Sequence, residues 1–407
     1  MIKPHIIKKS FPLFLSKEHA DMVYLDNAAT TQKPSSVLET VDHYYRHDNA
    51  NPRRGVSTMS YNAEKLFEDA RSTVKQFIGA ASSDEIVFTK NATEALNLAA
   101  FGWGTKHLTK KDTVIISVME HHSHMLPWRM AANSAGAHVK YVPFDTLGMV
   151  DLGALEKLLK NGAKMVAVTD VSNVFGTKQE LDTIIALTHQ YGAIVSVDGA
   201  QAVAHGAVNV QKLGADFYAF SGHKMYAPMG VGVLYAKKDL LDTMDPLLYG
   251  GSMIEQVTQD NATWSSPPHR FEGGTQDVAA VLGLEAAIRY LGQFSWSDIA
   301  EHENNLIRYA RAGLETTPGI ILYANNKAKT SLISFNLSGV HPHDLNHIFD
   351  QQGVVVRSGH HCSQPLMESL GITGTLRLSV GLYNSVEDID RALKSVNQAS
   401  RIFAHGK

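Results

Sequence analysis

The sequence predicts an α/β protein, with a large domain on a central, mostly parallel sheet followed by a smaller C-terminal α+β domain. Three observations carry this. Short apolar runs (TVIISV at 113–118, MVAVT at 165–169, IVSV at 194–197, FYAF at 217–220) alternate with helix-compatible stretches such as 181–191. That is the pattern of buried parallel strands joined by crossover helices. At 407 residues the chain exceeds the length over which a single core keeps growing. Between 250 and 274 it gathers Gly, Ser, Asn and the pair Pro267 and Pro268, as a loop would. After that region a helix at 278–291 opens a second unit, with helices at 301–315 and 344–351 and strands at 331–337 and near Val354 and Leu376. The expected division is an N-terminal segment over 1–20 packing with the small domain, a large domain over 21–275 and a small domain over 276–407.

Composition narrows the function classes. Hydrophobic residues make up 44% and charged residues 19%, the balance of a globular protein. A formal net charge of -3 gives no electrostatic case for nucleic acid or an anionic membrane. The opening MIKPHIIKKSFPLFLSKEH has a short apolar run broken by Pro12 and reads as a mature cytoplasmic start. No stretch holds eighteen consecutive apolar residues, so a membrane span is not expected. A single cysteine excludes an internal disulfide framework and a cysteine-based zinc cluster. Cys362 is therefore either incidental or chemical.

Two strand ends come first. FYAFSGHK at 217–224 ends an apolar strand in small and polar residues and leaves Lys224 just beyond buried structure. Desolvation there lowers an amine's pKa and frees it to bond a carbonyl; a plain surface lysine is the competing explanation. IVSVDGAQ at 194–201 sets Asp198 at the end of another buried strand, where α/β ligand sites form, although it could simply cap the next helix. The pairing is more informative than either residue. A pyridoxal cofactor needs a lysine for its aldehyde and an anion to keep its pyridine nitrogen protonated.

Four further segments bear on the same site. Backbone amides and Thr93 in TKNATEALN, following the strand at 86–88, form an anion site at a helix start, with Ser221 and His223 as additional phosphate donors. Simple N-capping competes. EHHSH at 120–124 invites a metal, but HExxH and a cysteine set are both absent, so an imidazole lying on a pyridine ring is more economical and no metal is expected. VVVRSGHHCSQP at 354–365 carries Cys362 on a loop where Arg357, His360 and His361 favour its thiolate. Arg377 lies inside an otherwise apolar strand, which suits an ion pair or bidentate recognition of an α-carboxylate.

With these residues assembled, the chain resembles the cysteine desulfurases of the class V aminotransferase family, nearest the group serving the SUF system of iron–sulfur cluster assembly. The carriers span nearly the whole chain: YLDNAAT (24–30), NATEALN (91–97), EHHSHMLPW (120–128), VSNVFGT (171–177), VDGAQA (197–202), SGHKMYAPMGVGVLY (221–235), FEGGT (271–275) and RSGHHCSQPLM (357–367). The resemblance implies the fold-type I architecture, with pyridoxal 5'-phosphate carried by Lys224, Asp198 facing its ring nitrogen, and His121 stacked on the ring. Asn173 and Gln201 would reach ring substituents or substrate, and Thr93, Ser221 and His223 would hold phosphate. Thr275 would reach a neighbouring subunit's cofactor, implying a homodimer. Arg377, with Arg357, would bind the substrate carboxylate, and Cys362 would receive sulfur from L-cysteine as a persulfide and pass it to a small acceptor protein. L-selenocysteine is the alternative substrate, and a class V aminotransferase or kynureninase-like lyase the alternative activity. A weakly catalytic cofactor-binding protein is the non-enzyme alternative. Five positions depart from the usual pattern: Arg53, Ser57, His124, Asp170 and Tyr249, the first two at 53–57 near the active-site entrance in relatives.

Overall fold

The computed structural model describes residues 2–53, 55–324 and 330–404; Arg54, within the departing 53–57 segment, lies outside the described residues. Its largest sheet has seven strands: β1 (Ile86–Thr89), β2 (Thr113–Ser117), β3 (His138–Val142), β4 (Ala163–Thr169), β5 (Ile194–Asp198), β6 (Phe217–Ser221) and β7 (Gly232–Ala236). Their spatial order is β1-β7-β6-β5-β4-β2-β3, and only β7 runs antiparallel to its neighbours. This is the mostly parallel sheet that the apolar runs predict.

Strand periodicity divides the core. Val87, Val114, Ile116, Phe217 and Ala219 pack with Trp103 and Trp128 on one face, while Ile86, Phe88, Ile115, Val195, Val197 and Tyr218 face the other. Both faces are covered, so the strands show unbroken apolar runs rather than alternation. Helix α1 (Thr58–Ile78) starts at Ser57, whose side chain accepts from the Ser60 amide, and ends at Gly79 in the left-handed region. Helix α2 (Ala92–Asn97) follows β1, and α3 (His122–Ser134) follows β2.

A second, four-stranded antiparallel sheet is formed by β8 (Ile320–Leu322), β9 (Leu332–Leu337), β10 (Arg357–Gly359) and β11 (Thr375–Ser379), in the order β8-β9-β11-β10. Helices α4 (Val278–Leu291), α5 (Trp296–Glu315), α6 (Pro342–Gln351) and α7 (Val386–Ala404) complete this half. Its core joins Leu306, Ile307, Phe335, Leu345, Phe349 and Leu376. Helix α5 begins at 296 rather than 301 because Ser295 accepts from the Asp298 amide and caps it there. The 250–274 region is not all loop: Ile254–Val257 and Ala262–Trp264 pair as a hairpin. At the other end of the chain, Phe11 is fully buried and its ring meets those of Tyr383 at 4.7 Å, Tyr290 at 5.8 Å and Tyr226 at 6.0 Å. Among the described residues no helix is long and apolar enough to cross a membrane.

One close approach sets the geometry of the sheet edge. A Cβ built on Gly232 would lie 2.5 Å from the Asn91 backbone, so only glycine lets β7 pass beneath the turn that opens α2. Gly232→Ala is expected to cost about 1–3 kcal/mol through forced backbone displacement. Denaturant unfolding of the apoprotein measures this, and an unshifted midpoint would contradict it.

Candidate active site

Five parallel strands end at one edge of the large sheet, and each delivers a polar residue there. β1 leads to Asn91 and Thr93, β2 to His121, β4 to Asn173, β5 to Asp198 and Gln201, and β6 to Ser221, His223 and Lys224. The small sheet adds Arg357, Arg377 and the Cys362 loop. These residues line a single cavity of about 240 Å³. The side chains of Lys224 and Cys362 thus share one cavity. Ligand sites of open α/β sheets lie at such carboxyl ends.

Lys224 closes a one-turn 3-10 helix (Gly222–Lys224) after β6. Burial lowers its pKa to about 8; Asp198 opposes this, and Arg377 adds to it. At pH about 7 roughly a tenth of the amine is therefore unprotonated, over a hundredfold more than for an ordinary lysine, and the free amine is the form that bonds a carbonyl. Asp198 is 6% exposed and accepts from the Ala200 amide at 3.0 Å. His121 caps α3: its Nδ1 accepts from the Ser123 amide at 3.1 Å and lies 2.7 Å from that residue's hydroxyl, which leaves the ring proton on Nε2. Burial and then the Lys224 charge lower its pKa to about 4, so the imidazole is neutral.

Around the proposed phosphate position, the Ser221 hydroxyl accepts from the Ala92 amide at 2.8 Å, and its own hydrogen remains free to donate. His223 has its pKa lowered to about 4 by burial, then by Lys224. Its Nδ1 is buried without a protein partner. Arg377 is 2% exposed; it donates from Nη1 to the Asn173 carbonyl at 2.9 Å and from Nη2 to Asp26 at 3.3 Å, while Nε has no protein partner. Buried donors left unpaired are costly and point to an occupant that completes them. Lys224, Arg357 and Arg377 against Asp198 also make the cavity electropositive, suited to a ligand with a phosphate and a carboxylate. The amine, the anion and the unpaired donors fit pyridoxal phosphate.

The remaining predicted residues are placed differently. Asn173 lines the cavity, but its amide donates to the His361 carbonyl at 2.7 Å and accepts from the Ser363 hydroxyl at 3.3 Å, so it ties down the cysteine loop. Gln201 also lines the cavity and donates to the Ala28 carbonyl at 2.8 Å. Thr275 is exposed and borders a separate cleft with Tyr44 and Asn49. The three histidines of EHHSH diverge: His121 enters the cavity, His122 meets the cysteine loop, and His124 is fully buried between Glu120 (2.5 Å) and Ser196 (2.9 Å). Glu120 in turn accepts from the Thr169 amide at 2.8 Å. That layer beneath the strand tips escaped the sequence reading. A Glu-x-x-x-His spacing, with Glu120 just ahead of α3, was its only local sign.

A model of the aminotransferase class-V family matches residues 23–392. The chain belongs to the class V aminotransferase family. Members of this family are pyridoxal-phosphate-dependent enzymes, and this chain is one of them. Among curated relatives, a probable cysteine desulfurase from Halalkalibacterium halodurans is 43% identical over 402 residues, covering 98% of this chain and 99% of the relative. A cysteine desulfurase from Klebsiella pneumoniae is 40% identical over 398 residues, covering 97% and 98%. The apo structure of cysteine desulfurase from Thermococcus onnurineus superposes with a TM-score of 0.93 at 40% identity, covering 98% of this chain and 99% of that one. An S-sulfonic acid form of the Escherichia coli cysteine desulfurase CsdA gives 0.92 at 35% identity, covering 99% of each chain. The fold of this class V family member is accordingly that of the fold-type I enzymes.

The lowered pKa of Lys224 gives a pH prediction. The free amine is the reacting form, so capture of pyridoxal phosphate by apoprotein is expected to accelerate as pH rises through about 8. Asp198→Asn removes the charge that holds the proton on, and should move that midpoint to lower pH. Stopped-flow absorbance reads both; a midpoint near that of an ordinary lysine, about 10.4, would contradict the assignment.

Proposed function

We propose that this family member is a cysteine desulfurase, converting L-cysteine to L-alanine and taking the sulfur onto Cys362. The single observation that carries the proposal is the placement of a half-buried cysteine, the only one in the chain, in the same cavity as Lys224. An aminotransferase has no use for a thiol there.

Lys224, with Asp198 opposite the ring nitrogen and His121 over the ring, would hold pyridoxal phosphate, while Thr93, Ser221 and His223 would bind its phosphate. When bound, the cofactor supplies a protonated ring that draws electron density from the substrate Cα. Arg377, whose Nε is unpaired, takes the substrate carboxylate together with Arg357 and so fixes the Cα–H bond. The unprotonated Lys224 amine removes the Cα proton, its base strength tuned by burial. The Cys362 thiolate attacks the substrate Sγ: an S–S bond forms, the Cβ–Sγ bond breaks, and the electron pair released ends in a new C–H bond at Cβ. The neutral His121, with its ring proton on Nε2, would supply the proton to Cβ, and Lys224 would return to Cα the proton it took. The products are alanine and a persulfide on Cys362.

The resemblance of the RSGHHC and SGHK segments to SUF-type desulfurases supports delivery of the persulfide sulfur to a small acceptor protein for iron–sulfur cluster assembly in the cytoplasm. The exposure of Thr275, away from its own cavity, supports a homodimer in which it reaches the partner's cofactor.

Incubation with pyridoxal phosphate and L-cysteine should yield alanine and add the mass of one sulfur atom at Cys362. Cys362→Ser should keep the cofactor's visible absorbance and lose the persulfide; unchanged sulfide release by that variant would overturn the role of Cys362, and comparison with L-selenocysteine would reveal a selenocysteine preference. Arg377→Lys should raise KM for L-cysteine about tenfold to hundredfold through loss of a charge-assisted hydrogen bond. An unchanged KM would remove Arg377 from carboxylate binding.

A further inference from the structure

The cysteine loop is held in two ways. On its inner side, His361 and Ser363 are fixed by groups that do not titrate: Asn173 bonds to both, and Thr375 receives His361 Nε2 at 2.9 Å on its hydroxyl and 3.1 Å on its carbonyl. On its outer side, the backbone on either side of Ser363 is held by imidazole lone pairs. The Cys362 amide donates to His360 Nδ1 at 3.1 Å, and the Gln364 amide donates to His122 Nε2 at 3.1 Å. The His122 amide donates in return to the Cys362 carbonyl at 2.7 Å. These contacts hold His361 and Cys362 at φ of 51° and 57°, two consecutive non-glycine residues in the left-handed region. Each such residue costs on the order of 1–2 kcal/mol and persists only while its surroundings impose it.

We propose that His122 and His360 are positioning residues that latch the cysteine loop over the cavity while neutral and release it when either is protonated. An imidazolium has no lone pair, so protonation at His122 Nε2 or His360 Nδ1 removes the acceptor of the Gln364 or Cys362 amide. The left-handed strain then drives Cys362 outward while His361 and Ser363 stay anchored. The inference rests on the reading that Cys362 carries sulfur: attack needs the loop inward, and handover to an acceptor needs it outward.

The groups facing His122 favour its neutral form and so the closed loop. The His122 ring is met by that of His360 at 5.7 Å and that of His121 at 6.4 Å, and Cys362, Arg357 and Arg377 line the cavity that His121 enters. Burial, and then His360, lower the pKa of His122. The closed loop thus binds fewer protons than the open one. Its stability is full above the ordinary imidazole pKa, about 6.5, and falls as pH drops below it.

The sole cysteine makes the test direct, because iodoacetamide reports Cys362 alone. The rate of alkylation of holoenzyme, without substrate, is compared between wild type and variants at each pH, so that the intrinsic thiolate dependence cancels. His122→Ala should react about tenfold faster than wild type at pH about 8, the loss of one backbone hydrogen bond, and the ratio should approach one near pH about 5. His122→Gln with His360→Asn keeps both acceptors without titrating, and should stay protected at both pH values. A ratio of one throughout, or acid opening of the double variant, would overturn the latch. If His122→Ala does not fold, wild type against the double variant decides by the same acid-induced difference. Failure of the desulfurase reading would show as absent persulfide with the alkylation profile intact.

Discussion

A buried guanidinium joins the two halves of this enzyme. Arg377 sits on the small sheet, yet it reaches the Asn173 carbonyl beyond β4 and Asp26 in the segment that precedes the large sheet. Burial is expensive for a cation unless an anion and full hydrogen bonding compensate. Asp26 supplies a single contact at 3.3 Å, and the Nε donor remains open. The cavity is therefore incomplete as protein alone, which fits the proposed binding of a substrate carboxylate there. The same segment holds the halves in register, because Val23–Tyr24 pairs in parallel with Val354–Val355 and the Asp26 backbone bridges to Ser379.

The parallel sheet supplies the rest. Five strands that run the same way must end at the same edge, so Lys224, Asp198, Asn173, His121 and Thr93 converge although they span 132 residues from first to last, 93 to 224 inclusive. Each of these strand tips places at least one group. Electrostatics then divides the roles. Burial pulls Lys224 and His121 toward their uncharged forms, while Asp198 opposes that shift at both.

Strand ends were legible in the sequence because an apolar run that stops at a charged or small residue is a local pattern, and Lys224, Asp198, Thr93 and Cys362 all follow one. Partners far apart in the chain were not. Glu272 illustrates this: it is fully buried and accepts from Arg53 at 2.8 Å, Arg71 at 2.6 Å and the Phe88 amide at 2.9 Å, contacts separated by 184 to 219 residues. Arg53 therefore serves this clasp and does not line the cavity, and Ser57 caps α1. His124 belongs to the buried Glu120–Ser196 layer, Asp170 accepts from the Tyr218 hydroxyl at 2.8 Å, and exposed Tyr249 packs on Trp264 at 5.3 Å. The departures from the family pattern thus lie outside the lining of the cavity that Lys224 and Cys362 share. The hairpin inside 250–274 was hidden for a different reason: its residues are mostly exposed, so burial imposes no apolar pattern on them.

The central claim is that Lys224, and no other lysine, bonds the cofactor in the cavity that Cys362 enters. Borohydride reduction of the holoenzyme followed by peptide mass mapping tests it most directly. The account predicts a pyridoxyl group on the peptide that contains Lys224. Its appearance instead on Lys33, whose pKa is also lowered by burial, to about 7, or on no lysine at all, would contradict the account.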